Sequence, residues 1–286
     1  MKTGYEMAQR VQRIDAHQHY WDPERGDYFW MLPDAPIARV FGPEDLQPLL
    51  AAHGFAQTVL VQAAPTLAET EYLLKIAGET ATVAKVVGWI DFEDPTKISA
   101  LERFAAHPKF VGVRPMIQDI PEDDWMLRPD LDWVFRAIED LDLTFDCLGF
   151  PRHLANFHRL LLRHEGMRAV LGHCLKPRLE RSDSFDTWAE GMRKLAEDTG
   201  AYCKVSGLVT EAEHDWSDNV LCPYVHHVID VFGPDRVMFG SDWPVCLLRC
   251  QYSDWVAQAA RLSAHLGEKA QAKIFGETAK VFYRIG

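Results

Sequence analysis

Eight short apolar runs, each followed by a loop and then an amphipathic stretch, set the tightest limit on what this chain can fold into. They are RIDAH near 13–17, QTVLVQ near 57–62, AKVVGWI near 84–90, FVGVRP near 110–115, LTFDCL near 143–148, RAVLGH near 168–173, AYCKVSG near 201–207 and RVMFGSD near 236–242. Most are rich in β-branched or aromatic residues, and all are too short for helices. Helix signals lie between them. Thr66 with Glu69 makes a capping box before LAETEYLLKIAGET, and Asp94 followed by Pro95 opens TKISALERFAA. DLDWVFRAIEDL, RHLANFHRLLLRH, DTWAEGMRKLAEDTG and CPYVHHVIDVFG continue the series, with Gly200 and Gly233 where C-terminal caps belong. Ser253 or Asp254 caps DWVAQAARLSAHL, and KAQAKIFGETAKVFYRI forms a last helical stretch.

Strands and helices alternating eight times, in a 286-residue chain, predict an α/β protein with a (β/α)8 TIM barrel. No low-complexity tract or Gly/Ser linker interrupts the pattern, so the expectation is a single domain over residues 1–286. The alternative, a doubly wound open sheet, loses ground because no Gly-rich fingerprint follows the first strand.

Charge narrows the partners. A formal net charge of -12 argues against nucleic acid, whose phosphates want a basic face. The opening residues MKTGYEMAQRVQR contain no apolar core of a leader, and no later run is long enough to span a bilayer, so a cytoplasmic protein with no membrane partner is expected. The cysteines Cys147, Cys174, Cys203, Cys222, Cys246 and Cys250 are dispersed, which suits free thiols in a reducing compartment. A homo-oligomer stays open.

A barrel enzyme works at the C-terminal ends of its strands. Strict alternation along RIDAHQHYWDP would put Asp15, His17 and His19 on one face, with the two imidazoles at the end of the first strand. The other strand ends offer Gln62, Asp91, Arg114, His173, Lys204 or Ser206, and Asp242. Gln62, Asp91 and Ser206 suit strand-end capping as well as a site. Asp242 is more pointed, since a carboxylate straight after a buried strand is costly unless a cation or proton donor pairs with it. His17, His19, His173 and Asp242 together make a convergent set with metal-ligand chemistry. No G-x-S-x-G, H-E-x-x-H or P-loop occurs.

These motifs carry a resemblance. D-x-H-x-H on the first strand, the later histidine and G-S-D-x-P on the eighth resemble the amidohydrolase superfamily. DAHQHYWDP, GDYFWML, GVRP, GHCLKP, KVSGL and FGSDWP are similar to its sugar-lactonase branch, of the L-fuconolactonase and L-rhamnonolactonase type, from about Arg13 to the terminal FGETAKVFY. The resemblance implies a hydrolase opening a small sugar lactone to its aldonic acid. Asp242 would shuttle the proton and His173 would act as ligand or oxyanion donor. His17, His19 and Asp242 would hold one divalent ion, zinc, which some members of the branch do without. Arg114, Trp21, Trp30, Gln62 and Lys204 would bind substrate, with Tyr28 beside the tryptophans as an apolar wall. A second metal is not expected, because Arg114 stands where binuclear members carry a bridging lysine or glutamate. Two rivals remain: a metal-dependent decarboxylase on the same scaffold, and a barrel that binds a small molecule without turning it over.

Overall fold

A computed structural model of the chain describes residues 12–179, 184–212 and 216–286. All eight apolar runs are strands: β1 Arg13–Gln18, β2 Phe55–Val61, β3 Val83–Gly88, β4 Phe110–Val113, β5 Thr144–Cys147, β6 Arg168–Leu171, β7 Tyr202–Val205 and β8 Val237–Phe239. Each pairs in parallel with the next, in the order β1 to β8. The ring closes above the last ladder: Gln18 bridges Trp243, the Asp242 amide donates to His17 O at 2.8 Å, and the His19 amide donates to Trp243 O at 2.7 Å. The architecture is therefore a (β/α)8 barrel, as predicted, and its seam falls on the candidate site.

Helices α1 Pro43–His53, α2 Leu67–Glu79, α3 Ile98–Ala105, α4 Asp132–Asp140, α5 Leu154–Arg163, α6 Phe185–Asp198, α7 Leu208–Glu211, α8 Asp218–Phe232 and α9 Tyr252–Leu262 surround the strands. Their apolar stripes meet the outward strand side chains in one continuous layer that includes Leu60, Val86, Phe145, Leu171, Trp188 and Phe239. None of the described helices is long and apolar enough to cross a membrane. The lumen is a second, smaller cluster of Ile14, Ala16, Val59, Val61, Val87, Val111, Val170 and Met238. Ala279, Phe282, Tyr283 and Ile285 belong to the same cluster and close the barrel floor.

Several local expectations needed correction. Thr66 does cap α2 by accepting from the Glu69 amide at 3.0 Å. The Glu69 carboxylate does not reach back to the cap; it accepts instead from the Ala63 amide at 3.2 Å and the Tyr28 hydroxyl at 2.8 Å. Gln251, not Ser253 or Asp254, is the N-cap residue of α9, and the Asp254 carboxylate accepts from its amide at 3.1 Å. Gly233 caps α8 with φ of 72°, whereas α6 is followed first by an extended Thr199. The last helical stretch is three pieces, α10 Glu268–Ala272, a π-turn Lys273–Glu277 and α11 Thr278–Phe282. Gly276 explains the wide turn: a Cβ there would lie 2.4 Å from Gln12 O, so backbone packs on backbone where the chain enters β1.

Candidate active site

The site begins with a slip in β1. Asp15 lies opposite Thr58 of β2, yet Gln18, three residues on, lies opposite Leu60, only two residues on. One extra residue is thus accommodated in β1, a bulge, and a bulge re-aims side chains. Ala16 packs in the lumen, and His17, its neighbour, also turns inward, its ring centroid 4.5 Å from that of His173. Asp15 turns the other way, toward the helix layer. It accepts from the Ser241 amide at 2.8 Å and the Tyr252 hydroxyl at 3.3 Å, and burial raises its pKa to about 6. The expectation that Asp15, His17 and His19 share a face therefore fails at Asp15.

His173 and Asp242 arrive from β6 and β8 on left-handed backbone, with φ of 54° and 56°. This conformation is sterically costly for residues with a Cβ. Around Asp242 Oδ1 stand His19 Nε2 at 3.2 Å, His17 Nε2 at 3.7 Å and His173 Nε2 at 3.8 Å. Gly207 makes room for them, because a Cβ on it would lie 2.5 Å from His173 Nδ1. Burial holds all three imidazoles below the usual histidine pKa, His173 at about 3, so they are neutral at pH 7. Burial also pushes Asp242 upward, but the attraction of its carboxylate for the charged forms of His173 and His19 and for Lys176 outweighs it and keeps its pKa below the usual carboxylate value. A neutral imidazole cluster around one ionised carboxylate is the result.

Arg114 extends from the end of β4. Its Nη2 donates to Gln62 O, and its Nη1 is 3.3 Å from His17 Nε2. Its Nε has no partner, and no described carboxylate lies within ion-pair distance of the guanidinium. Burial lowers its pKa to about 10, which leaves the cation intact at neutral pH.

These groups open onto a cavity of about 170 Å³, smaller than a typical drug-sized pocket of ~300–1,000 Å³ and sized for a single small ring. Of the residues singled out from sequence, His19, Trp21, Trp30, Arg114, His173 and Asp242 line it. Trp21 and Trp30 are pinned by their indole N–H groups, Trp21 on Arg39 O at 3.1 Å and Trp30 on Ala63 O at 2.7 Å. His17 lies just beneath. Gln62 and Lys204, expected as substrate contacts, do not reach the cavity. The Gln62 amide donates to Arg114 O, and Lys204, fully buried, donates to Asp146 Oδ2 at 2.7 Å with His17 Nδ1 3.3 Å away. Alternation does place Lys204 in the lumen, but at a depth below the imidazoles. Tyr28 turns down to Glu69, Ser206 steadies the His173 ring through Nδ1 at 2.9 Å, and Asp91 accepts from the Glu93 amide outside the cavity. His153 bonds the Phe150 amide, also outside it. Lys176, Met116, Leu148 and Val245 line the cavity and were not anticipated. Lys176 stands in GHCLKP, but only its backbone conformation turns it inward.

The donor set suits one metal ion. His17, His173 and Asp242 offer ligand atoms within 4.8 Å of one another, and His19 adds a fourth. Tetrahedral zinc at ordinary bond lengths separates its ligand atoms by about 3.4 Å. His19 carries its proton on Nδ1, since that atom faces the Val61 carbonyl at 2.7 Å, so its Nε2 lone pair meets the Asp242 carboxylate with no hydrogen between them. A cation resolves that contact. His17 is less free, because Arg114 competes for its Nε2.

Fold and site together define a barrel hydrolase of the amidohydrolase type. The chain belongs to the amidohydrolase family, whose model, described as Amidohydrolase, matches residues 14–285. It is 42% identical to an L-fucono-1,5-lactonase of Burkholderia ambifaria over 96% of each chain. It is 33% identical to an L-fucono-1,5-lactonase of Burkholderia multivorans, again over 96% of each. A crystal structure of a Burkholderia multivorans amidohydrolase with bound zinc superposes with a TM-score of 0.91 at 32% identity, covering 96% of this chain and 100% of that one.

Proposed function

We propose that this protein hydrolyses a sugar lactone, L-fucono-1,5-lactone or a close aldonolactone, to the aldonic acid. The observation that carries the reading is the Asp242 carboxylate ringed by the imidazoles of His17, His19 and His173 beside a cavity of about 170 Å³, in a chain 42% identical to an L-fucono-1,5-lactonase. Asp242 takes a proton from water as the water oxygen bonds to the lactone carbonyl carbon. It returns that proton to the ring oxygen as the carbon–oxygen bond breaks. Arg114, a cation with an unbonded Nε, holds the carbonyl oxygen as negative charge develops there. Trp21 and Trp30 present rigid faces to the sugar ring. His173, steadied by Ser206, borders the reacting carbon.

One divalent ion, zinc, fits the set His17, His19 and Asp242, with His173 in reach. When bound it supplies Lewis-acid polarisation and lowers the pKa of water. Arg114 at the end of β4 leaves no ligand for a second. The test is a set of initial rates on a panel of aldonolactones, read with a pH indicator, before and after chelation and after zinc is restored. Opening of at least one lactone well above its spontaneous rate is expected. No acceleration on any lactone overturns the reading, and two equivalents of metal in the site overturn the single-ion assignment.

A further inference from the structure

The segment after β6 is built in an unusual way. His173, Cys174, Leu175 and Lys176 have φ of 54°, 52°, 53° and 49°, four consecutive left-handed residues without a glycine. Each costs about 1–2 kcal/mol relative to right-handed backbone. The Lys176 amide donates to His173 O at 2.8 Å, so the run is one tight left-handed turn. In a turn closed between i and i+3, those two residues lie over one another. His173 and Lys176 both line the same cavity. The turn is pinned from outside. The Trp188 indole donates to Cys174 O at 2.9 Å, and Cys174 Sγ donates to Lys204 O at 3.4 Å. Pro177 follows and disfavours a right-handed helical conformation at Lys176.

The ammonium is held as firmly as its backbone. Glu211, the last residue of α7, lies 3.1 Å from Lys176 Nζ, with both side chains about four-fifths buried (18% and 21% exposed). The Phe150 ring lies 5.5 Å away. Two basic side chains, Arg114 and Lys176, line the cavity beside the Asp242 carboxylate, and Glu211 holds Lys176 from outside that lining. Two N–H donor groups facing one cavity suit an anionic oxygen pair, yet a lactone is neutral. The anion is created by the reaction: water adds, the ring carbon–oxygen bond breaks, the ring oxygen leaves as a hydroxyl, and the new carboxylic acid ionises.

We infer that Lys176 is the residue that holds the carboxylate formed on lactone opening, and so sets how strongly the product is retained. The inference rests on the lactonase reading above. It is tested by titrating the aldonate into the wild-type enzyme and into the variants Lys176→Met, Lys176→Arg and Glu211→Gln in a calorimeter. Lactone KM and the thermal midpoint are measured on the same preparations. A charge-assisted hydrogen bond is worth enough to change affinity by about tenfold or more. Lys176→Met should therefore weaken aldonate binding at least about tenfold, while lactone KM rises much less and the thermal midpoint stays close to wild type. Lys176→Arg should restore most of the affinity, and Glu211→Gln should fall between. Aldonate binding within about twofold of wild type in Lys176→Met overturns the inference. So does an equal rise in lactone KM and aldonate Kd, which would make Lys176 a general contact. A wild-type enzyme that opens no lactone refutes the underlying reading and takes the inference with it. An active enzyme with unchanged product binding in the variant refutes the inference alone.

Discussion

At the upper end of the barrel, neutral histidines and a left-handed aspartate crowd around a cavity, and an arginine is buried without a carboxylate partner. At the lower end, Ala279, Phe282, Tyr283 and Ile285 fill the opening against Ile14 and Val111, and the ionisable groups just above them are paired. Asp146 accepts from Lys204 at 2.7 Å and from the Tyr283 hydroxyl at 3.0 Å. The upper end keeps polar groups short of partners, at a cost in free energy, so that a substrate can supply them. The lower end spends its residues on closure. In a barrel whose eight strands run from one end to the other, chemistry and stability are thereby separated by the length of a strand.

The largest effect expected from breaking this division is at Asp242. Asp242→Asn keeps the shape and removes the base, so turnover on the best lactone should fall about 10²–10⁴-fold with little change in the urea midpoint. A near-normal rate would move the proton shuttle to a histidine. At the other end, Phe282→Ala empties a buried site against Tyr202 and Tyr283 and should cost about 3–5 kcal/mol in denaturant unfolding. The kcat/KM of the folded fraction should stay close to wild type. A variant that keeps its stability but loses activity would show that the floor is not a purely structural part.

Glu69 sharpens the comparison from beneath the aromatic loop. Burial raises its pKa to about 7, against about 4.3 in an unfolded chain. Between these values the folded state binds more protons than the unfolded one, so stability falls as pH rises through that window and stays lower above it. Glu69→Gln should abolish this loss. Between pH 5 and pH 8 its unfolding free energy should gain about 2–3 kcal/mol relative to wild type. Parallel pH curves for the two proteins would refute the assignment. The smallest effect is expected at Tyr283, whose hydroxyl joins the floor to the network under His17. Tyr283→Phe should cost about 1 kcal/mol and lower turnover only a few-fold. A larger loss of turnover than of stability would mean that Asp146 and Lys204 position His17 more tightly than their geometry indicates.

The fold was legible because each strand is a short, mainly apolar run and several helices carry a cap or a glycine stop. His17, His19, His173 and Asp242 were legible as a set as well, since imidazoles and a carboxylate ending three apolar strands converge at one end of a barrel. What escaped was backbone geometry. Asp15, His17 and His19 fit alternation on paper, and nothing in RIDAHQ marks the extra residue that turns Asp15 outward. Lys176 needs a left-handed turn that contains no glycine to announce it. Lys204 was expected at the substrate, but its depth below the imidazoles depends on β5 and the floor, segments far away in sequence. Glu69 carries a capping signature, but its carboxylate found a buried phenol instead.

The bond from Tyr283 to Asp146 spans 137 residues, and the groups it supports reach back to His17 in β1. During synthesis, therefore, the imidazoles of β1 leave the ribosome long before the residue that braces them from below. Until residue 283 is available, Asp146 and Lys204 lack their phenolic partner and the lumen lacks Phe282. A nascent chain that already carries His17, His19, His173 and Asp242 but not this segment lacks the floor beneath them. Domains generally fold as units once their residues are available. For this one, the lumen is closed only when the segment carrying Ala279, Phe282, Tyr283 and Ile285 is in place.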